Sequence, residues 1–359
     1  MWAYLSWALG LRSLGCKVIW MEAAFPDAPV EEVQQQVAAL KRRLERYDLA
    51  GSVALCSWTD EPLPRQMAEG SLDLEAATEA DLVLNMAYEV PPGVIGAFRR
   101  SAMVDIDPGL TQIWMSEKLL KTAPHDVYFT IGETVGRPGA LFPDCGIQWQ
   151  YTPPPVFLPA WPQMPAGSGA PYTTVTHWWG SLMEFNGESY YNGKRDGFLP
   201  FLELPSRTKQ ALELTICLEE KEDKERAMLE EQGWRLRDPR AATATPWDYQ
   251  RYIQNSRGEF SCVKPSCVHL QNAWVSDRTL CYLASGKPAV VQHTGPSRFL
   301  PDSAGLFRFR DLQEAAHCLE AVEADYGRQS RLARALAEEH FDAEKVVGRV
   351  LERTLDGNK

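Results

Sequence analysis

The sequence predicts an α/β protein built from two Rossmann-like domains. Short apolar runs rich in β-branched and aromatic residues alternate along the chain with longer segments of helical periodicity. This alternation is typical of parallel sheets whose strands are joined by helices. A Pro- and Gly-rich interval at 159–171 separates two such series, and 359 residues are enough for two domains of ordinary size. We therefore predict domains at 1–165 and 166–338, followed by a final helix at 339–359.

The elements of the first domain follow from this periodicity. The first apolar segment carries amphipathic spacing and stops at Gly15, which predicts a core helix at 2–14. The other predicted helices lie at 29–46, 72–80 and 111–120, and the predicted strands lie at 17–21, 52–56, 82–86, 102–106, 127–131 and 147–151.

A β-branched strand at 172–176 opens the second domain. A later helix begins with capping side chains at Ser276 and Asp277 and stops at Gly286. The other predicted strands lie at 212–217, 234–236, 259–263, 289–292 and 306–309, and the other predicted helices at 218–231, 247–255, 311–322, 330–339 and 341–355.

Composition excludes several classes of function. The net charge of −11 argues against a nucleic-acid partner, which calls for a basic surface. No apolar run approaches the length of a membrane span. The eight cysteines are scattered without the spacing of a zinc site, as expected for reduced thiols. We therefore expect a cytoplasmic protein that binds no metal.

The segment around Ser276 carries the strongest signal for a binding site. Its strand–loop–helix–strand pattern places the N-terminus of a helix at the carboxyl edge of a parallel sheet. Unpaired N–H groups and the helix dipole favour phosphate at such a place, and the Arg278 guanidinium suits phosphate oxygens. We predict that Ser276, Asp277, Arg278 and Thr279 hold a diphosphate. The alternative is that Ser276 and Asp277 form an ordinary helix cap.

This segment also resembles the donor-binding segment of GT-B glycosyltransferases. Residues 280–288 read LCYLASGKP and precede a strand and Thr294-Gly295, much as LEAMASGxPVV precedes a Gly-rich turn in that family. Residues 306–341 resemble the strand and helices that close many bacterial members. The resemblance implies two Rossmann-like domains with a cleft between them and a final helix that returns to the first domain. It further implies sugar transfer from a nucleoside-diphosphate sugar, the substrate, without a metal or other cofactor.

One feature departs from the family pattern. Retaining members carry two glutamates eight positions apart, and these positions are Ala273 and Cys281 in this chain. The ribose-binding glutamate of the family therefore has no counterpart here. The stereochemical outcome, the sugar and the base stay open.

Further residues of the second domain are candidates for donor binding. Lys264 follows the strand at 259–263, and Lys194 adds a positive charge in the loop YYNGKRDG. Thr294 and Gly295 follow the next strand, where glycine lets backbone N–H groups approach a ligand closely. His177 ends the first strand of the domain, beside two tryptophans that either stack on a base or fill the interior.

Glu259 is expected to serve structure instead. It opens a strand and lies near Arg257 and Lys264 in sequence, so we predict an ion pair with one of them.

The acceptor side offers three carboxylates as candidate general bases. Asp105 and Asp107 close a predicted strand, where burial would raise a carboxyl pKa toward the range that a base needs. The alternative for Asp107 is to cap the helix at 111–120. Glu22 directly follows the strand at 17–21 and is an equally good candidate for the general base.

The start of the chain carries its own expectation. The helix at 2–14 and the strand at 17–21 resemble the second half of a βαβ unit, so the first strand of the sheet is expected to be missing. Sheets of this type place their first strand in the middle. We expect unpaired backbone groups there, recruitment of a strand or poor solubility, and weak activity or none of the 359-residue form on its own.

Two other functions stay open. A nucleotide-sugar epimerase shares the fold and the same binding edge. An inactive GT-B-like binding protein is the second alternative, since the glutamate pair is absent. The acceptor and the oligomeric state are not predicted.

Overall fold

The computed structural model describes residues 1–167 and 169–355. Ser168 of the predicted interdomain interval and residues 356–359 of the predicted final helix lie outside the described residues. The chain divides into two compact units, each discontinuous in sequence. The first unit comprises Tyr4–Pro138, Phe142–Pro153 and the segment from Ala343, and the second comprises Met1–Ala3, Gly139–Leu141 and Pro154–Asp342.

Helices and strands alternate through the first 153 residues. The helices are α1 (Trp2–Ser13), α2 (Val30–Leu44), α3 (Leu74–Thr78), α4 (Pro92–Ile95) and α5 (Leu110–Ser116). The strands are β1 (Trp20–Ala24), β2 (Val53–Ser57), β3 (Val83–Asn85), β4 (Ser101–Asp105), β5 (Val127–Thr130) and β6 (Trp149–Tyr151).

The alternation continues in the remainder of the described chain. The strands are β7 (Tyr172–Val175), β8 (Leu182–Phe185), β9 (Glu188–Tyr191), β10 (Leu212–Thr215), β11 (Arg235–Arg237), β12 (Gly258–Ser261), β13 (Ala289–Gln292), β14 (Ser303–Ala304) and β15 (Leu306–Phe309). The helices are α6 (Lys194–Phe198), α7 (Leu204–Arg207), α8 (Asp223–Glu231), α9 (Pro239–Ala242), α10 (Pro246–Asn255), α11 (Pro265–Leu270), α12 (Asp277–Ala284), α13 (Leu312–Ala324), α14 (Tyr326–Leu336) and α15 (Ala343–Leu355). Throughout the described chain, no helix combines the length and apolarity needed to cross a membrane.

Most predicted elements are confirmed, with ends displaced by a few residues. The strands at 289–292 and 306–309 are confirmed residue for residue as β13 and β15. The strand predicted at 17–21 lies further along as β1, because pairing with β2 begins at Trp20 and Val53. The hairpin formed by β8 and β9 was not predicted, since neither strand alternates regularly between apolar and polar residues.

The strands of the first unit form two separate parallel sheets. β1 pairs with β2, and β3 to β6 pair in sequence order. Among the described residues no ladder joins β1 to β3, although Met21, Ala23 and Val83 belong to one apolar cluster. In the described residues β1 and β2 therefore form a sheet separate from that of β3 to β6.

The first and last helices cover one apolar surface of the first unit. Trp7 of α1 packs with Val346 and Val347 of α15 and with Val104 and Phe129 of the sheet. The helices approach closely at Gly10, where an added Cβ would lie 3.0 Å from the Ala343 carbonyl oxygen. A larger residue at Gly10 would separate them.

The second unit contains a continuous seven-stranded sheet in the order β11-β10-β7-β12-β13-β15-β14. All its ladders are parallel except that between β14 and β15. Its core is aromatic, with the rings of Phe260 and Phe309 stacked 5.2 Å apart. This sheet places the carboxyl ends of β7, β12 and β13 side by side, next to the N-terminus of α12.

Candidate functional site

The N-terminus of α12 is the centre of the candidate site. Ser276 is its N-cap, and the Ser276 hydroxyl accepts a hydrogen bond from the Arg278 N–H at 3.3 Å. α12 is buried on nearly every side, so its apolar residues anchor it firmly against the sheet. The capping alternative is thus confirmed for Ser276, and it leaves other N–H groups of the first turn facing the sheet edge.

A small cavity lies at this edge. Ser276, Arg278, Thr279 and Thr294 line it, together with other residues that the sequence did not single out: Ser261, Val263, Trp274, Val275, Val291 and Gln292. The parallel order of β12 and β13 brings these segments together. Among the predicted donor residues, four therefore share one surface.

Arg278, which the sequence predicted to hold a diphosphate, is buried and bonded to other groups of the protein. Its guanidinium is bound on three sides: by Glu259 at 2.7 Å, by the Val175 carbonyl at 3.0 Å and by the Ser261 hydroxyl at 2.6 Å. Only 11% of the side chain is exposed. Burial alone would lower the pKa of Arg278, but the adjacent Glu259 carboxylate helps to raise it above its usual value. Arg278 is a permanent buried cation that ties α12 to β7 and β12.

The predicted pairing of Glu259 was wrong. Glu259 is fully buried and pairs with Arg278, while Arg257 pairs with Glu323 at 2.7 Å. The Arg257 guanidinium also lies over the ring of Tyr326, 3.4 Å from its centroid. The two side chains meet because Glu259 lies on β12 and Arg278 lies in the first turn of α12, which packs against that strand.

Lys194 is the most unusual group of the site. It opens α6, and its ammonium donates a hydrogen bond to the Cys262 carbonyl at 2.7 Å. The side chain is buried, and its nitrogen lies 6.0 Å from the centroid of the Trp274 ring. Burial, together with the cations of Arg278 and Lys264, lowers the pKa of Lys194 to about 7. Lys194 and Lys264 therefore lie near Arg278, which lines the cavity.

The other predicted donor residues lie around this group. Lys264 is the N-cap of α11 and is half-buried, and Asp277 lies in the first turn of α12. His177 follows β7 and is exposed. Of the two tryptophans after His177, Trp178 belongs to the apolar core, whereas Trp179 is 48% exposed.

Thr294 and Gly295 form hydrogen bonds to other groups of the protein. The Thr294 hydroxyl donates to the Trp274 carbonyl at 2.6 Å, and the Gly295 N–H donates to Nδ1 of His293 at 3.1 Å. An added Cβ at Gly295 would lie 2.5 Å from the Gln271 carbonyl oxygen. Gly295 thus lies close to the chain's own backbone, as only a glycine can. Its N–H is bonded to His293 and is not directed at a ligand.

Asp105 of the first unit is a structural residue. It is fully buried, and its carboxylate accepts hydrogen bonds from Thr111, Gln112 and Thr130 at 2.7, 2.9 and 2.8 Å and from the Asp107 N–H at 3.0 Å. Burial raises the pKa of Asp105, as the sequence predicted for a base. No face of the carboxylate is open to a substrate, so the catalytic assignment of Asp105 was wrong.

Asp107 and Glu22 have other environments. Asp107 is half-buried at the end of β4, and the N-cap of α5 is Gly109, not Asp107. Glu22 lies in β1, exposed, and accepts a hydrogen bond from the Trp20 indole at 2.7 Å. Asp107 therefore remains the candidate base with the most suitable position.

Comparison with known proteins gives a match in structure alone. No family model matches the chain, and no curated protein matches its sequence. The structure is similar to HepE of Anabaena in complex with UDP, with a TM-score of 0.52 and 11% identity over 95% of this chain and 100% of that chain. The UDP-glucose complex of HepE matches with a TM-score of 0.52 and 11% identity, over 94% of this chain and 99% of that chain. A glycosyltransferase from Rickettsia africae matches with a TM-score of 0.51 and 11% identity, over 95% and 98% of the two chains.

These similarities cover nearly the whole of each chain. The fold is therefore that of GT-B glycosyltransferases, and the predicted α/β class with Rossmann-like halves is confirmed. At 11% identity the comparisons show the fold, and the function has to be argued from the residues.

Proposed function

We propose that this protein is a glycosyltransferase that moves a sugar from a nucleoside-diphosphate sugar to an acceptor without a bound metal. The observation that carries the proposal is the convergence of Lys194, Lys264 and Arg278 at the N-terminus of α12. A buried ammonium with a lowered pKa is unfavourable for the free protein. A diphosphate placed against it would restore its charge and be held by it.

The positions of the cations support a diphosphate more than a simple structural role. Arg278 has a carboxylate partner, whereas the ammonium of Lys194 is bound to a neutral carbonyl. The Glu259 carboxylate is therefore one anion among three positive groups at this edge, those of Lys194, Lys264 and Arg278. The complexes of HepE with UDP and UDP-glucose add support, because they belong to a protein of the same fold.

The chemistry follows from where charge develops. As the bond between the anomeric carbon and the diphosphate oxygen breaks, negative charge grows on the leaving nucleoside diphosphate. Fixed cations and the positive end of a helix stabilise that charge without rearranging during the reaction. The acceptor oxygen forms the new bond to the anomeric carbon, and we assign its proton to Asp107, half-buried at the end of β4.

Calorimetric titration with UDP tests the donor site. Replacing Lys194 with methionine removes the charge and keeps the length of the side chain, so we expect at least a tenfold loss of affinity, about 1.4 kcal/mol. Lys209→Met is the matched control, since Lys209 is exposed in the same unit, and its affinity should be unchanged. Equal affinity of the Lys194 and Lys209 variants would remove the basis of the proposal.

Incubation with a panel of nucleotide sugars tests the reaction. A transferase releases nucleoside diphosphate when an acceptor is added. An epimerase would yield an isomerised nucleotide sugar without that release, and a binding protein would yield neither product. Either of the last two results overturns the proposed transfer.

A further inference from the structure

We propose that a cavity in the first unit binds an acceptor through an apolar ring, aromatic or alicyclic. This aromatic cavity is lined chiefly by Trp58, Met86, Tyr88, Trp114, Leu119 and Leu120, and its volume is about 390 Å³. Cavities that bind small ligands have volumes of this order and mostly apolar walls. The proposal rests on the proposed function, since it names the class of acceptor.

The cavity lies at the functional edge of its sheet. Trp58 directly follows β2, and Met86 and Tyr88 directly follow β3. Trp114 is on α5, and Leu119 lies in the segment after that helix. Ligands of parallel α/β sheets bind outside the carboxyl ends of the strands, where these walls lie.

Tyr88 joins the cavity to the candidate base. The Ile106 N–H donates a hydrogen bond to the Tyr88 hydroxyl at 2.9 Å, and Ile106 directly precedes Asp107. The ring of Tyr88 is thereby fixed against the end of β4. Burial raises the pKa of the Tyr88 hydroxyl, and Asp107 lies close enough to Tyr88 for its negative charge to raise that pKa further.

The surface around the cavity is unusually apolar. Leu119 is 69% exposed and Phe25 is 56% exposed, and the ring of Phe25 lies 6.4 Å from that of Trp58. Clustered exposed apolar groups on a protein surface mark binding sites more often than isolated ones do.

The aromatic side chains of the lining decide the class of ligand. Trp58, Tyr88 and Trp114 supply flat apolar faces, Glu89 supplies the one carboxylate, and the Tyr88 hydroxyl accepts a bond from Ile106. A free hexose has a hydroxyl on almost every carbon, and each of these needs a polar partner when it leaves water. A ring with one or two polar groups fits the walls better. The acceptor therefore presents its apolar part to this cavity.

Binding of 2-naphthol, measured by calorimetry and by saturation-transfer NMR, tests the proposal with glucose as the polar comparison. We expect saturable binding of 2-naphthol and none of glucose. Trp114→Ala should weaken 2-naphthol binding at least tenfold, while Tyr191→Ala, which removes an exposed aromatic ring of the other unit, should leave it unchanged. Equal binding by both variants, or glucose binding as tightly as 2-naphthol, would overturn the proposal.

Leu119→Glu provides a second test of 2-naphthol binding in the cavity if Trp114→Ala fails to fold. Leu119 is largely exposed, so this change adds a carboxylate to the apolar wall with little effect on folding. It should also weaken binding at least tenfold, and unchanged binding counts against the cavity.

Adding UDP-glucose separates the two proposals. Binding of 2-naphthol without any transfer contradicts the proposed function alone, whereas transfer unaffected by Leu119→Glu contradicts the cavity alone.

Discussion

The two units present opposite kinds of surface at the carboxyl edges of their sheets. In the second unit the edge is polar and rigid, with Arg278, Glu259 and Lys194 buried and bound to one another or to backbone carbonyls. In the first unit the edge is open and lined by aromatic side chains, with an exposed Leu119. Under the proposed function, one side would recognise fixed negative charge, whereas the other would recognise shape and apolar surface.

The largest expected effect concerns the buried ion pair. Glu259→Ala leaves the Arg278 guanidinium buried without its carboxylate, so we expect the free energy of unfolding to fall by roughly 3–5 kcal/mol. Denaturation by urea measures it. Glu203→Ala, in the exposed pair of Glu203 with Arg207, should change it by about 0–1 kcal/mol. Equal effects of the two substitutions would mean that the charges of the second unit are not fixed by burial.

Substitutions of the two carboxylates at the end of β4, Asp105 and Asp107, should affect stability and activity differently. Asp105→Ala removes the acceptor of several buried donors and should lower the free energy of unfolding by roughly 2–3 kcal/mol. Asp107→Ala should cost less than half of that and yet abolish turnover. A turnover rate that survives in Asp107→Ala would exclude Asp107 as the base.

Hydrogen exchange should distinguish the interrupted sheet from the continuous one. Each of β1 and β3 is paired on one side only, whereas β12 lies between β7 and β13. Amide protection in β1 and β3 should be about 100-fold lower than in β12. β4 is the control within the first unit, because it is paired on both sides. Equal protection in β1 and β4 would contradict the interruption.

The smallest expected effect is a dependence of UDP binding on pH. Because the pKa of Lys194 is lowered to about 7 in the free protein, its positive charge is lost as the pH rises through 7. UDP affinity should fall roughly tenfold between about pH 6.5 and 8.5, and Lys194→Met should flatten the curve. In the unliganded protein the same lowered pKa makes Lys194 oppose folding below about pH 7 and oppose it less toward pH 10. An identical pH profile in the variant would show that another group titrates.

The sequence was sufficient for the order of most elements and for the start of a helix at Ser276 beside the sheet. Periodicity identifies β13 and β15 because both are short, buried and bounded by glycine or polar residues. The cap at Ser276 was equally visible, since capping is a local interaction. These features depend on near neighbours in the chain.

The environments of the site residues could not be predicted from the sequence. Glu259 and Arg278 are 19 positions apart, and the ammonium of Lys194 is bonded 68 positions away. Such contacts arise from strand order, which periodicity does not specify. The burial of Asp105 likewise depends on Thr130 of the neighbouring strand. A weak signal for Lys194 did exist, because a lysine beside a glycine at a strand–helix junction is well placed for an anion.

The packing of α1 against α15 sets the order in which the chain can mature during synthesis. The apolar cluster that joins Trp7 to Val346, Val347 and Val350 needs residues that lie far apart in the sequence. More than three hundred residues are synthesised between Trp7 and Val346, so the cluster cannot form until those residues have been made. All strands of the second unit precede Val346 in the sequence. The unit whose first helix is synthesised earliest therefore completes its core after the other unit has its whole sheet.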